Sequence, residues 1–442
     1  MLFRSKTAAK TWDGWIYYHK GIYYLYYLIS DHFVCDGFAV ATSRDGVNWE
    51  DHGWALRHSD KMVRYLGIGS VWKDVRFPET RRFICGYSEW HMDGDKNVET
   101  ILFAWSDDLL QWQKFDDSFE FRIDERFYTR MEPDAHGSWE DPRWDGICVV
   151  PRLEGGYFGY WTATPKDFLG FGFGVSEDSI HWEALEPPRI EWGDRPKMYF
   201  IEVGGVHEID GKYYAMLADY ATTNCGMFNF VSETPYGPFR PSINNFSLLR
   251  NQSKMHAYFT RFLDSPDGVL VTHHTLAEGQ FSDEHYVVYY APLKKAQVID
   301  ETLYLSWWEG NDKLKNREVK LNTSAEQIRF ETNQGMVLEG EMTLPGKLMI
   351  NSDSETGIGI IVNDKGLTEI GPIKADWNGF KCEERVDREM SFGVSPRFRL
   401  LLNHTMLEFY LDDIFIQCYT MEKASIGTIS HQNVGNLKLW QW

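Results

Sequence analysis

Short runs of apolar and aromatic residues alternate with polar or small ones along most of the chain, the period of half-buried strands. Gly37-Phe-Ala-Val-Ala-Thr42, Ile101-Leu-Phe-Ala-Trp105 and Gly170-Phe-Gly-Phe-Gly-Val175 have this form. Each leads into the same kind of turn: Ser43-Arg-Asp-Gly-Val-Asn-Trp49, Ser106-Asp-Asp-Leu-Leu-Gln-Trp112 and Ser176-Glu-Asp-Ser-Ile-His-Trp182, with a looser copy at Ser232-Glu-Thr-Pro-Tyr-Gly-Pro-Phe239. The serines are 63, 70 and 56 residues apart, a period suited to four-stranded propeller blades with a turn between the two outer strands. Aromatic strands opened by glycine turns, Lys20-Gly-Ile-Tyr-Tyr-Leu-Tyr-Tyr27 and Asp210-Gly-Lys-Tyr-Tyr-Ala-Met-Leu217, lie between the copies. With a weaker region from Met255 to Tyr304, the pattern predicts five blades. From about Lys315 the texture changes to alternating strands at 340–344, 347–350, 357–362, 398–402, 407–411 and 415–419, the pattern of a β-sandwich. The expected fold is all-β: a five-bladed propeller over 1–305, a charged linker over 306–322 and a sandwich over 323–442.

Composition narrows the function. The 18 Trp, 23 Tyr and 28 Phe favour pleated strands and supply the flat surfaces on which sugar rings stack. A formal charge of -20 repels nucleic-acid phosphates and anionic lipid, so neither is an expected partner. No apolar run nears the ~20 residues of a spanning helix, and Met1 to Lys10 lacks a signal-peptide core; a cytoplasmic location is expected unless a leader was removed. The six cysteines are far apart and read as buried free thiols, and no ligand spacing calls for a metal or other cofactor. A small-molecule or oligosaccharide substrate and a monomer or homodimer complete the expectation.

Three acids sit where a propeller would aim them into its central funnel. Asp13 lies in Thr11-Trp-Asp-Gly-Trp15; Asp141 lies in Ser138-Trp-Glu-Asp-Pro-Arg-Trp144, with Arg143 at hand to hold a carboxylate ionised; Glu202 lies inside the apolar strand Tyr199-Phe-Ile-Glu-Val203. Burial in such a strand raises a carboxyl pKa and suits Glu202 to donate a proton. Each has an alternative as a turn cap, an Asp-Pro turn or an ion-paired strand residue. Trp12, Trp15, Trp72, Trp90 and Trp139 are candidates for stacking on a sugar ring or, equally, for blade core.

These blocks resemble glycoside hydrolase family 32, the β-fructosidases (invertase, inulinase, levanase). The stretch WDGWIYYHKGIYYLYYL is similar to the family's opening block with its nucleophilic Asp. Glu140-Asp141-Pro142 resembles its Arg-Asp-Pro block, and Glu202-Val203 with Asp210-Gly-Lys212 its Glu-Cys block and later turn. Gly67-Ile-Gly-Ser-Val71, with Ser70, resembles a segment lining the sugar pocket. His256-Ala-Tyr-Phe-Thr260, with His256 and Tyr258, resembles a later-blade strand, and the stretch around Glu408 resembles the sandwich hallmark. The resemblance implies a retaining hydrolase of β-fructofuranosides of the sucrose, fructo-oligosaccharide, inulin or levan type. Asp13 would be the nucleophile, Asp141 the transition-state stabiliser and Glu202 the acid/base, with Trp12, Trp15, Ser70, Trp72, Arg143, His256 and Tyr258 as substrate-binding residues. The sequence departs from the family at Trp12 and Gly14 around the nucleophile, at Glu140 and at Val203. An inverting enzyme like those of family 43, arabinofuranosidases and xylosidases, and a carbohydrate-binding propeller without chemistry are the alternatives.

Overall fold

The computed structural model describes residues 3–5, 10–30, 35–94, 96–129, 143–195, 197–198, 200–219, 225–251, 257–276, 288–321 and 327–442. Among them, α-helix is confined to one turn, Phe77–Thr80. Four antiparallel sheets follow one another along the chain. The first runs Lys10–His19, Ile22–Ser30, Gly37–Ser43, Glu50–Arg57, and the second Leu66–Lys73, Phe83–Asp93, Lys96–Ser106, Gln113–Lys114. The third is Trp144–Pro151, Tyr157–Ala163, Gly172–Ser176, Glu183–Ala184; the fourth is Glu202–Ile209, Lys212–Asp219, Cys225–Ser232, Arg240–Pro241, with Ser247–Asn251 added beside Cys225–Ser232.

In place of a fifth separate blade, the strands Ala257–Ser265, Gly268–Leu276, Lys294–Ile299 and Thr302–Trp307 belong to a 15-stranded sheet that continues into the C-terminal region. The join is narrow: Ser306 pairs with Ile414. The first strand of each of these five groups lies innermost, and they neighbour one another in a ring that closes between Lys10–His19 and Ala257–Ser265. Tyr290 seals that closure by donating its hydroxyl to the Trp12 carbonyl, at 2.5 Å.

The recurrent turns join third to fourth strands, as the repeat predicts, and the aspartate explains the motif. The Asp45 carboxylate accepts from the Val47 and Asn48 amides at 3.0 and 2.8 Å. Asp108 accepts from Leu110 and Gln111 at 2.8 and 2.9 Å, and Asp178 from Ile180 and His181 at 3.1 and 2.8 Å. Each carboxylate satisfies donors that the reversal of the chain would leave unpaired.

In the C-terminal region the two short strands expected at 340–344 and 347–350 are one strand, Met336–Asn351, whose register shifts twice against Thr428–Gln441. Apolar packing does not stop at the propeller edge: Val337, Leu401, Met406, Tyr410, Phe415 and Cys418 belong to the same buried cluster as Leu25, Tyr26 and Leu303. Polar bonds cross there too. Lys294 donates to Glu408, which also accepts from Tyr410 at 2.7 Å, and Arg388 donates to Asn245 and to the Leu248 carbonyl at 2.8 and 3.0 Å.

Cys35, Cys85, Cys148 and Cys418 are buried free thiols as expected, but Cys382 is exposed, because it sits at the margin of the sandwich. Among the described residues one potential metal-ligand group exists, His273, Glu408 and Cys418. The Lys294 ammonium already bonds Glu408 there, occupying the place of a cation.

Candidate active site

Every innermost strand carries a register shift near its start: Thr11/Gly14, Gly67/Ser70, opposite Tyr160/Thr162, Val203/Gly205 and Tyr258/Arg261. A bulge at such a point turns side chains out of the regular alternation. At Gly146 the backbone takes φ +70°, open to glycine at little cost; at Phe259 φ is 54°, a strained conformation for an aromatic residue. Beside these bulges sit Asp13, Asp145, Glu202 and Tyr258, one from each of four strands, all buried.

Arg143 ties the group together. Its Nη2 donates to Asp145 at 2.7 Å and to Glu202 at 3.3 Å, while Nε donates to Glu99 at 3.0 Å. The Tyr258 hydroxyl donates to the other Glu202 oxygen at 2.8 Å. Ser88 donates to Asp145. Gly67 makes room for that contact, since a Cβ there would lie 2.2 Å from Ser88 Oγ and 2.5 Å from Asp145 Oδ1. His274 stands 3.6 Å from Asp13 and 5.0 Å, ring to ring, from Trp12.

Electrostatics follows from burial and crowding. Burial first, then the negative charges of Glu202 and Asp145, push the Asp13 carboxyl well up, against the pull of Arg261 and Arg143. Burial also raises Glu202, opposed by Arg143 and by the Tyr258 hydrogen bond. Glu99 is raised to about 7 by burial and by Asp145. Burial pulls His274 down to about 3, so it is neutral beside Asp13. Crowded carboxylates sharing two arginines cannot all ionise cheaply, so the cluster keeps a proton to higher pH than ordinary carboxyls would. An ionised carboxylate beside a protonated one is the pairing that acid-assisted nucleophilic substitution requires.

Of the residues singled out from sequence, the structure brings Asp13, Glu202, Arg143, Tyr258 and Trp12 to this site. Asp141 and His256 lie outside the described residues, as does Trp139. Three expectations are corrected. Trp15 is 2% exposed and packs on Tyr26 and Phe38 at 5.4 and 5.2 Å, in the core of the first blade. Trp72 is wedged between the second and third blades, donating to the Ser179 carbonyl at 3.2 Å with Trp182 at 6.0 Å. Ser70 donates to the Ile147 carbonyl at 2.6 Å, a bond between neighbouring strands. Trp90, 1% exposed against Tyr65, is core as well.

Asp145, Glu99, His274 and Arg261 were missed. For Asp145 a signal existed: Trp-Asp-Gly occurs twice, at Trp12-Asp13-Gly14 and Trp144-Asp145-Gly146, and both copies open an innermost strand.

No family model matches the chain, and no curated protein matches it in sequence. Its structure is similar to that of sucrose-6-phosphate hydrolase from Lactobacillus gasseri, at TM-score 0.70 and 16% identity over 95% of this chain and 88% of that one. It is similar to a family 32 β-fructofuranosidase from Bombyx mori, at TM-score 0.71 and 14% identity over 100% and 93%. It also resembles exo-inulinase from Aspergillus awamori, at TM-score 0.71 and 10% identity over 100% and 96%. At such identities the likeness is one of fold: a β-propeller arrangement followed by a sandwich, as in family 32 glycoside hydrolases.

Proposed function

We propose that this chain is a retaining glycoside hydrolase acting on β-fructofuranosides, the substrate class named for its structural neighbours. The observation that carries the reading is the meeting of Asp13, Asp145 and Glu202, from three strands far apart in sequence, around one arginine. A binding module has no use for a buried acid held protonated beside two further carboxylates.

In this reading an Asp13 oxygen attacks the anomeric carbon of the fructosyl ring while Glu202 gives its proton to the leaving oxygen. The glycosidic bond breaks and an ester to Asp13 forms. Glu202, now ionised, then takes a proton from water, which displaces Asp13 and releases fructose. Asp145 takes the role that the sequence assigned to Asp141: it holds sugar hydroxyls and offsets positive charge on the oxocarbenium-like transition state. Arg143 and Tyr258 hold Glu202 in place, and Trp12 offers a ring face at the edge of the site.

The strands between Ala257 and Trp307 act in this scheme as the fifth blade, since they supply Tyr258, Arg261 and His274. The sandwich over 323–442 is a supporting domain, and 306–322 joins the two. The test is a panel of β-fructosides, sucrose, 1-kestose, inulin and levan, with arabinosides and xylosides as controls. Fructose release by the wild-type chain, abolished in Asp13→Asn and Glu202→Gln variants that remain folded, is the expected result. Turnover of arabinosides or xylosides alone would overturn the substrate class.

A further inference from the structure

Arg143 has more carboxylates to serve than it has charge. Its guanidinium is shared by Glu99 through Nε and by Asp145 and Glu202 through Nη2. Glu99 comes from the second blade, is 1% exposed, and is bound on both oxygens. One oxygen accepts from Arg143 Nε and from the Trp144 amide, each at 3.0 Å; the other accepts from Tyr65 at 3.3 Å and lies 3.4 Å from the Ser88 hydroxyl, whose hydrogen goes to Asp145. The Trp144 bond fixes the backbone immediately before Asp145, and the Arg143 bond fixes the plane whose far nitrogen reaches Glu202. One buried side chain thus holds both the strand start that carries Asp145 and the arginine that contacts the acid.

Resting on the hydrolase reading above, we propose that Glu99 is a positioning residue for the acid Glu202, acting through Arg143, and that its charge governs how much of the arginine's charge is left to Glu202. The groups facing Glu202 are Arg143 and Asp145 from the third blade, Tyr258 and Arg261 from the strand Ala257–Ser265, and Asp13 from the first blade. Those facing Glu99 are Tyr65 and Ser88 of its own blade with Arg143 and Asp145. Changing Glu99 to a neutral amide removes one competitor for Arg143 and alters no direct contact of Glu202. Ionised Glu202 is then better paired, so the acid loses its proton at lower pH.

The test compares Glu99→Gln with Glu99→Asp on the best β-fructoside. In Glu99→Gln the alkaline limb of the kcat/KM profile is expected to move to lower pH, with activity above the limb falling ~tenfold. Glu99→Asp keeps the charge but shortens the reach, so the limb stays and kcat falls. A Tyr65→Phe variant, which withdraws one donor from Glu99, should move the limb the same way by less, and it carries the test if Glu99→Gln does not fold. Carboxyl NMR titration of glutamate-labelled protein, with the Glu202 signal assigned by Glu202→Gln, reads the same shift without turnover. Movement of that signal in a chain that cleaves no fructoside would sustain the coupling and sink the hydrolase reading. An unmoved Glu202 titration and an unmoved limb, whatever happens to kcat, would show Glu99 to be scaffold only and overturn the proposal.

Discussion

Replacing Lys294 by methionine should destabilise the whole chain by an amount that can be worked out from its partner. Lys294 and Glu408 are both fully buried, Lys294 opening the propeller-side strand Lys294–Ile299 and Glu408 in the sandwich strand Met406–Leu411. His273 lies 3.2 Å from the same carboxylate. Burial opposes ionisation of Glu408, but Lys294 and His273 overcome it and hold the carboxyl down at about 2, against a usual 4.5. That difference corresponds to roughly 3 to 4 kcal/mol in favour of the ionised, partnered carboxylate, although burial lowers Lys294 itself. It agrees with the ~3 to 5 kcal/mol lost when one member of a buried pair is removed. Because the folded pKa is the lower one, this stabilisation is present in full above the unfolded value and fades as pH falls toward 2. Over an unfolding entropy of roughly 2.1 cal/mol/K for each of the 442 residues, it amounts to about 4 °C in Tm if propeller and sandwich unfold together.

Scanning calorimetry at pH 8 is the assay, because burial and then Lys294 pull His273 down and keep it neutral there in the wild type, whereas near pH 6 a variant lacking Lys294 can protonate His273 and partly repair the loss. A Lys294→Met/Glu408→Gln double variant should regain most of the Tm, since the uncompensated charge is gone. A Lys294→Met protein within about 1 °C of wild type, or a double variant no better than the single, would refute the reasoning.

Asp145→Asn should lower kcat/KM by ~10² to 10³ through loss of transition-state stabilisation, while Asp141→Asn leaves it nearly unchanged; steady-state kinetics of the two variants compares them directly. Gly67→Ala should push its Cβ into Ser88 and Asp145 and lower kcat with little change in circular dichroism or Tm. The pH profile of kcat/KM should be bell-shaped with both limbs above ordinary carboxyl values. Burial raises both Asp13 and Glu202, so the pair passes through its singly protonated, active form at higher pH than ordinary carboxyls would. A profile flat from pH 4 to 9 would contradict the assignment of both.

Strand order, the outer turns and two of the acids were legible because each has a local cause. The Ser-x-Asp turns advertise themselves through a side chain that bonds its own backbone. Asp13 and Glu202 stand out as lone acids in aromatic or apolar strands. Asp145 was legible only as the second Trp-Asp-Gly, and the sequence reading passed over it for the nearby Asp141-Pro142 pair, which lies outside the described residues. Glu99 gave no signal: Asn97-Val-Glu-Thr100 reads as a solvent-facing strand end, yet Arg143 and Trp144 at the start of the third blade's inner strand cover it. Trp15 and Trp72 show the converse limit, since an aromatic residue that stacks on a sugar and one that fills a blade occupy strands of the same alternation. The separate fifth blade was expected from strand counting, but Ser306 bonds across to Ile414, and pairing between distant segments leaves no periodic trace.

The most direct measurement is early-time NMR of the sugar released from the best β-fructoside at a temperature where mutarotation is slow. A double displacement at Asp13 places the two reacting carboxyls ~5 to 5.5 Å apart and returns fructose first as the β-anomer. Appearance of the α-anomer first would mean a water between Asp13 and Glu202 and a single displacement, and would contradict Asp13 as nucleophile.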